Sequence, residues 1–274
     1  NNKFDTTFNT GTGFNVFTSV PSLYDFAIQP DGKIIVVGGF ISYNGETVKN
    51  IIRLNLDGSR DTSFSLVETG VGGFIEHINL LPDGKILISG GFALYNGVAV
   101  NGLIRLNADG TRDMSFVSAL NLGTYKGTIV RVQADNKIVV VKKSNVNTEL
   151  INQIQRLNSD GSLDNTFTAG DVVYSIYDVA IQPDGKIVAV GSFIAYNSNS
   201  AICVARINTD GSFDTGFNTG QGFSTTYYPE SIIAQPDGKL IIGGRFPDFN
   251  GIPSPGLVRI NTDGSKDTTF NIGT

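Results

Sequence analysis

The tetrad Pro-Asp-Gly-Lys recurs along this chain at Pro30–Lys33, Pro82–Lys85, Pro183–Lys186 and Pro236–Lys239. A degenerate copy, Ala134-Asp135-Asn136-Lys137, falls between the second and third, and the five are spaced 52, 52, 49 and 53 residues apart. Self-similarity at such a period implies a row of like units that bury their faces against one another. A second anchor, Arg-Leu/Ile-Asn-x-Asp-Gly, starts at Arg53, Arg105, Arg156, Arg206 and Arg259. A third follows it, Asp-x-x-Phe, at Asp61–Phe64, Asp113–Phe116, Asp164–Phe167, Asp214–Phe217 and Asp267–Phe270, with a sixth copy at Asp5–Phe8.

Each unit reads as short strands. A run such as Tyr24–Ile28 precedes the proline turn, and the β-branched run Ile34–Val37 follows it. Asp-Gly between two such runs is a hairpin signal. A third strand near Ile51–Leu54 leads to a second Asp-Gly turn at Asp57-Gly58, and a last short strand ends at Phe64. Apolar residues do not recur at helical spacing. The expected fold is all-β, a five-bladed β-propeller of four-stranded antiparallel blades. The alternative is a β-solenoid or an open row of small sheets, whose coils are shorter and lack this hairpin spacing. Residues 1–274 form one domain on this reading, with repeats at 9–64, 65–116, 117–167, 168–217 and 218–270. Residues 1–8 are surplus, or a closing strand from a preceding repeat. The chain opens without Met and begins and ends inside a repeat, so part of a larger polypeptide or a processed form is expected.

The consensus Ala-Ile-Gln-Pro-Asp-Gly-Lys, clearest at Ala27–Lys33 and Ala180–Lys186, followed by Arg-Leu-Asn-x-Asp-Gly-Ser-x-Asp-x-x-Phe, resembles the delta-60 repeat family. The resemblance spans essentially the whole chain. It implies a β-propeller, a bacterial or bacteriophage origin, and long parent proteins that are often secreted or surface-attached. It transfers no catalytic residues. The third copy departs from the pattern, with Val141-Lys142-Lys143-Ser144 where the first has Val37-Gly38-Gly39-Phe40.

The net charge is −5 and no Lys/Arg run exists, so no nucleic-acid partner is expected. No apolar run reaches 18 residues, so no membrane-inserting helix is expected. The single cysteine, Cys203, rules out an internal disulfide and a four-thiolate zinc site, and Ile202-Cys203-Val204 reads as buried core.

Four sets of residues recur in ways that invite chemistry. An aromatic followed by Asn closes the second strand at Tyr43-Asn44, Tyr95-Asn96, Tyr196-Asn197 and Phe249-Asn250. Exposed on one rim, such pairs suit a glycan or protein ligand; packed together, they only make the turn. Five residues before each turn proline or its Ala134 equivalent stand Asp25, His77, Ile129, Asp178 and Ser231, candidates for a central channel. Asp25, His77 and Asp178 are the polar set there, too few in His for a zinc site. The Asn-x-Asp-Gly-Ser-x-Asp loops space oxygens as calcium loops do, or cap a hairpin turn. The repeated Arg is a structural clasp to Asp or, alternatively, part of an anion-binding ring.

No metal or other cofactor is expected, and no catalytic residue. One His, one Cys and no strand–elbow Ser leave nucleophilic catalysis without support. The functional expectation is a non-catalytic binding or adhesion module of a bacterial surface or secreted protein, touching glycan or protein through one rim. The alternatives are a structural component of a phage virion or other extracellular assembly, and a polysaccharide-active enzyme.

Overall fold

The computed structural model describes residues 6–16, 22–65, 71–122, 128–146, 149–224 and 226–270, and its regular structure is entirely β. It divides into two compact units, residues 1–130 with 159–162, and residues 131–158 with 163–274.

In the first repeat, strands Ser22–Ile28, Ile34–Gly39 and Ile51–Leu54 form one antiparallel sheet in that order. The fourth repeat does the same with Ile176–Ile181, Ile187–Gly191 and Val204–Ile207, and the fifth with Pro229–Ala234, Leu240–Gly244 and Leu257–Ile260. The second uses Val71–Leu80, Ile86–Tyr95 and Leu103–Leu106. The third uses Ile129–Val132, Ile138–Val146 and Glu149–Leu157, and Gly170–Val173 of the fourth repeat adds to its edge. The proline turn works through its glycine: Gly32 sits at φ 84°, and Asn136, its substitute in the degenerate copy, at φ 64°. Asn tolerates that region better than any residue with a bulkier side chain.

The expected fourth strand shrinks to one bridging pair per repeat: Leu54 with Arg60, Leu106 with Arg112, Leu157 with Leu163, Ile207 with Phe213 and Ile260 with Lys266. The reason lies one residue further on, where the Asp of Asp-x-x-Phe turns inward. Asp61 accepts Lys33 Nζ at 2.7 Å and Arg53 Nε at 2.8 Å, while its other oxygen takes Ser63 N–H at 2.9 Å. All three sequence anchors therefore meet at one carboxylate. The same clasp forms at Asp113, Asp164, Asp214 and Asp267, each on its own repeat's Lys and Arg. Each Arg also lies over its repeat's Phe, 4.7 Å from the Phe64 ring centroid and 4.4 Å from that of Phe217.

The first four clasps reach forward as well. Arg53 Nη1 donates to the Ala108 carbonyl at 2.6 Å and Arg156 Nη1 to that of Thr209 at 2.7 Å; Arg105 and Arg206 reach Ser159 and Thr262 likewise. The residue after each Phe then donates its N–H to the next Asp-Gly turn: Ser65 to Asp109, Val117 to Asp160, Thr168 to Asp210 and Asn218 to Asp263. The turn glycine permits the approach. Gly211 has φ 89°, and a Cβ there would lie 2.1 Å from the Thr168 carbonyl oxygen. Asn9 occupies the first turn in the same way, its N–H 2.8 Å from the Asp57 carbonyl. Asp5 lies outside the described residues.

The cores lie between neighbouring sheets of each unit. Ile35, Val37 and Ile51 pack with Ile75, Ile78, Ile86 and Ile88 in the first. Val188, Val190 and Val204 pack with Ile232, Leu240 and Ile242 in the second. Each such side chain contributes about 1.5–3 kcal/mol by leaving water.

Candidate functional site

The rings of the aromatic–Asn pairs are not at the surface, although Asn44, Asn197 and Asn250 beside them are exposed. Tyr43, Tyr95, Tyr196 and Phe249 are all buried. The hydroxyls of Tyr43, Tyr95 and Tyr196 donate to the carbonyls of Gly58, Gly110 and Gly211 at 2.6, 2.9 and 2.9 Å. Burial pushes the Tyr95 phenol up to about 12. Asn44, Asn96, Asn197 and Asn250 all sit at positive φ, between 45° and 54°, and shape the turn. Asn44 Oδ1 also accepts Gly13 N–H at 3.0 Å, Asn197 Oδ1 that of Asp171 at 2.8 Å, and Asn250 Oδ1 that of Gln221 at 3.0 Å. The expected exposed aromatic rim is thus corrected: the three tyrosines tie their own turn to the Asp-Gly turn of the same repeat, which explains their periodicity.

Asp25 and Asp178 are likewise occupied. Asp25 accepts Phe26 N–H at 2.8 Å and Ile78 N–H at 3.1 Å, with His77 Nδ1 3.9 Å away. Burial opposes its ionisation, but the nearby His77 imidazole and the Ile78 and Phe26 N–H groups outweigh that and lower its pKa. Asp178 takes Arg131 Nη2 at 2.6 Å, Ile232 N–H at 3.0 Å and Ser231 Oγ at 3.2 Å. Both carboxylates stitch one innermost strand to the next. The Asn-x-Asp-Gly-Ser loops behave as turns: Asp57 Oδ1 accepts both Ser59 N–H and Ser59 Oγ, at 2.9 and 2.6 Å. Among the described residues no group of three His, Cys, Asp or Glu is placed to hold a metal ion. Cys203 is buried, and burial pushes its thiol up to about 11, away from the reactive thiolate.

A recurring irregularity of the sheet brings two tyrosines, Tyr24 and Tyr177, to the surface. In four repeats the innermost strand carries a bulge at one equivalent position. Pairing skips from Leu23 to Asp25, from Ile75 to His77, from Ile176 to Asp178 and from Pro229 to Ser231. The extra residues are Tyr24, Glu76, Tyr177 and Glu230. A bulge re-aims its side chain away from the alternating pattern. Opposite it the backbone comes so close that only Gly fits: a Cβ on Gly38, Gly90, Gly191 or Gly244 would lie within 2.5 Å of a carbonyl oxygen.

Two bulge tyrosines pair with an aromatic of the following repeat. Tyr177 meets Tyr228 edge-on, with ring centroids 6.3 Å apart, and Tyr24 meets Phe74 in the same way at 6.2 Å. Around Tyr177 the pair opens into a cleft of about 690 Å³, lined by Tyr177, Thr226, Tyr227, Tyr228, Glu230 and Arg245. Tyr177 and Tyr227 are 42% and 51% exposed, which leaves ring surface for a ligand. Arg245 Nε and Glu230 Oε1 lie 3.0 Å apart at the solvent-exposed wall. Such an exposed pair adds little stability but presents both a donor and an acceptor. The volume is that of a small-molecule or oligomer subsite. Reading the sequence by its strongest period missed this cleft. Its signal was the glycine closing the second strand, Gly191 in the fourth repeat and Gly244 in the fifth, which marks the bulge opposite.

Among solved structures, the chain is similar to a gluconolactonase from Xanthomonas campestris, at 12% identity over 90% of this chain and 78% of that one, with a TM-score of 0.46. It is also similar to a catalytically inactive virginiamycin B lyase from Staphylococcus aureus with quinupristin, at 15% identity over 88% and 86% of the two chains and a TM-score of 0.39. An exo-beta-1,3-galactanase from Phanerochaete chrysosporium with galactose matches at 13% identity over 96% and 69%, with a TM-score of 0.40. No curated protein matches. Five segments, residues 29–64, 81–116, 133–167, 182–217 and 235–270, match the model of a beta-propeller domain of unknown function, DUF5122, so the chain belongs to that family and its five repeats are propeller blades.

Proposed function

We propose that this chain is a non-catalytic binding module that takes a glycan in the cleft between Tyr177 and Tyr228. The observation that carries the reading is Tyr177, exposed on its bulge and paired edge-on with Tyr228, beside the Glu230–Arg245 pair. A pyranose presents an apolar face to a tyrosine ring and hydroxyls to a carboxylate or guanidinium, and this cleft offers both. The carboxylates of the clasps are already held by Lys and Arg, which supports binding over hydrolysis. The setting we infer is a bacterial surface or secreted protein built of delta-60 repeats.

Glycan-array screening of the intact chain, followed by titration calorimetry on the best ligand, tests this. Tyr177→Ala and Tyr228→Ala each should weaken binding tenfold or more, while Tm moves little. An array with no ligand, or binding that both variants leave intact, would sink the proposal.

A further inference from the structure

The tyrosine cleft is built on paired backbone, so its side chains start from fixed places. Asp178 accepts Ile232 N–H at 3.0 Å and Ser231 Oγ at 3.2 Å. That stitch joins the two bulges, and the bulge residues just before it, Tyr177 and Glu230, line one cleft. Arg245 N–H donates to the Tyr228 carbonyl at 3.0 Å, which ties the guanidinium to the second ring. Apart from Thr226, the lining is three tyrosines, one carboxylate and one guanidinium.

The two charges are only half used. Glu230 and Arg245 approach each other through Oε1 and Nε. Among the described residues, Glu230 Oε2 and both Nη atoms of Arg245 have no partner. The wall therefore presents an open acceptor oxygen beside an end-on donor fork. Its net charge is zero. A purely cationic ligand would meet Arg245, and a purely anionic one would meet Glu230; a group carrying both charges satisfies both. The rings favour a particular cation. Tyr177 and Tyr228 stand at 66° with centroids 6.3 Å apart. One cation can thus lie within about 6 Å of both centroids, the range over which a ring face attracts it. Tyr227 adds exposed ring surface. A quaternary ammonium suits such walls, because its methyls pack on the rings and it has no N–H to satisfy, whereas a primary ammonium needs acceptors for its three. On the guanidinium, a phosphate diester fits. It stays ionised while joining an ammonium arm to a sugar; a carboxylate esterified to a sugar loses its charge.

We propose that this cleft recognises a phosphocholine-like zwitterion, its quaternary ammonium against the Tyr177 and Tyr228 rings and Glu230, its phosphate on the Arg245 fork. The inference rests on the cleft being the glycan site argued above, and names the substituent that the site reads.

Titration calorimetry of the intact chain with free phosphocholine, choline and phosphoethanolamine tests it, beside the glycan array. Phosphocholine should bind about tenfold tighter than either of the others. Tyr177→Ala should weaken it about tenfold, and Tyr177→Phe, which keeps the ring face, by less than about threefold. Arg245→Gln should weaken phosphocholine about tenfold without weakening choline. These side chains are exposed, so Tm should move by less than about 2 °C in each variant. Equal affinity for phosphoethanolamine would overturn the cage, and unchanged phosphocholine affinity in Arg245→Gln would overturn the phosphate assignment. Array glycans that bind while free phosphocholine does not would overturn this inference and leave the glycan reading standing. Binding to phosphatidylcholine vesicles with no glycan bound would do the reverse, keeping the zwitterion and making a lipid its carrier.

Discussion

The third clasp and the tyrosine cleft both lie in the unit that includes residues 163–274, and they differ in how they use repetition. The clasp at Asp164 is one of five near-copies, and its parts are spoken for: Lys137 at 3.0 Å, Arg156 at 2.7 Å and Thr166 Oγ1 at 2.6 Å. The cleft appears where copies diverge. The bulge position holds Tyr24, Glu76, Tyr177 and Glu230 in turn, and its neighbour across the cleft is Arg245 where the first two repeats have Gly39 and Gly91. In this chain, the residues that repeat tie strands and turns together, whereas the residue at the bulge changes in identity from one repeat to the next.

Acid should make the largest difference, because it strikes every clasp at once. Burial opposes ionisation of Asp61, Asp113 and Asp164, but bonds from Lys, Ser or Thr, and Arg outweigh it, so all three carboxyls stay well below the usual range. Lys239 and Thr269 do the same for Asp267. A carboxylate whose folded pKa is depressed stabilises the fold fully above its unfolded pKa of about 3.9, and that contribution is lost as pH falls toward the folded value. Tm should therefore be flat above about pH 5 and drop steeply below about pH 4. A melting series from neutral to strongly acid pH checks this; a Tm that holds into strong acid would mean the clasps do not matter.

Breaking one clasp isolates its share. Asp164→Ala leaves Lys137 and Arg156 facing each other without an anion. Lys137 keeps contact with water, so the expected loss is about 2–4 kcal/mol by denaturant unfolding, with no change in glycan affinity beyond that of lost folded protein. If affinity fell while the fold held, the separation between clasp and cleft would fail.

Tyr196→Phe asks the same of the buried aromatics. It removes the hydroxyl that donates to Gly211 and nothing else, for about 1 kcal/mol of stability and no loss of binding. The smallest effect belongs to Tyr24→Ala. Its partner Phe74 lacks a hydroxyl, and Gly91 stands where the other cleft has Arg245. Affinity at the Tyr177 cleft, measured with a short oligosaccharide, should stay within about twofold. A drop matching that of Tyr177→Ala would overturn the assignment of binding to the Tyr177 cleft.

Much of this was legible beforehand. The turns, the strand order and the pairing of Arg with Asp follow from periodicity and from residue types that tolerate positive φ. The aromatic–Asn pairs misled because regular recurrence of a large ring is what a packing rivet produces: Tyr43, Tyr95 and Tyr196 repeat because Gly58, Gly110 and Gly211 need covering. The bulge was hidden because one extra residue in a strand changes no local preference. It is visible only when the partner strand fixes the register.

By itself, then, the order of residues determined the unit: where chain reversal is possible, which stretches prefer extended backbone, and which charges recur together. Those are properties of a few neighbours and their covalent geometry. Only the tertiary structure decided which tyrosines face water and which Asp-x-x-Phe copy occupies the first turn. Both depend on which backbone atoms of separate strands compete for the same space, and that competition is settled between segments far apart in the chain.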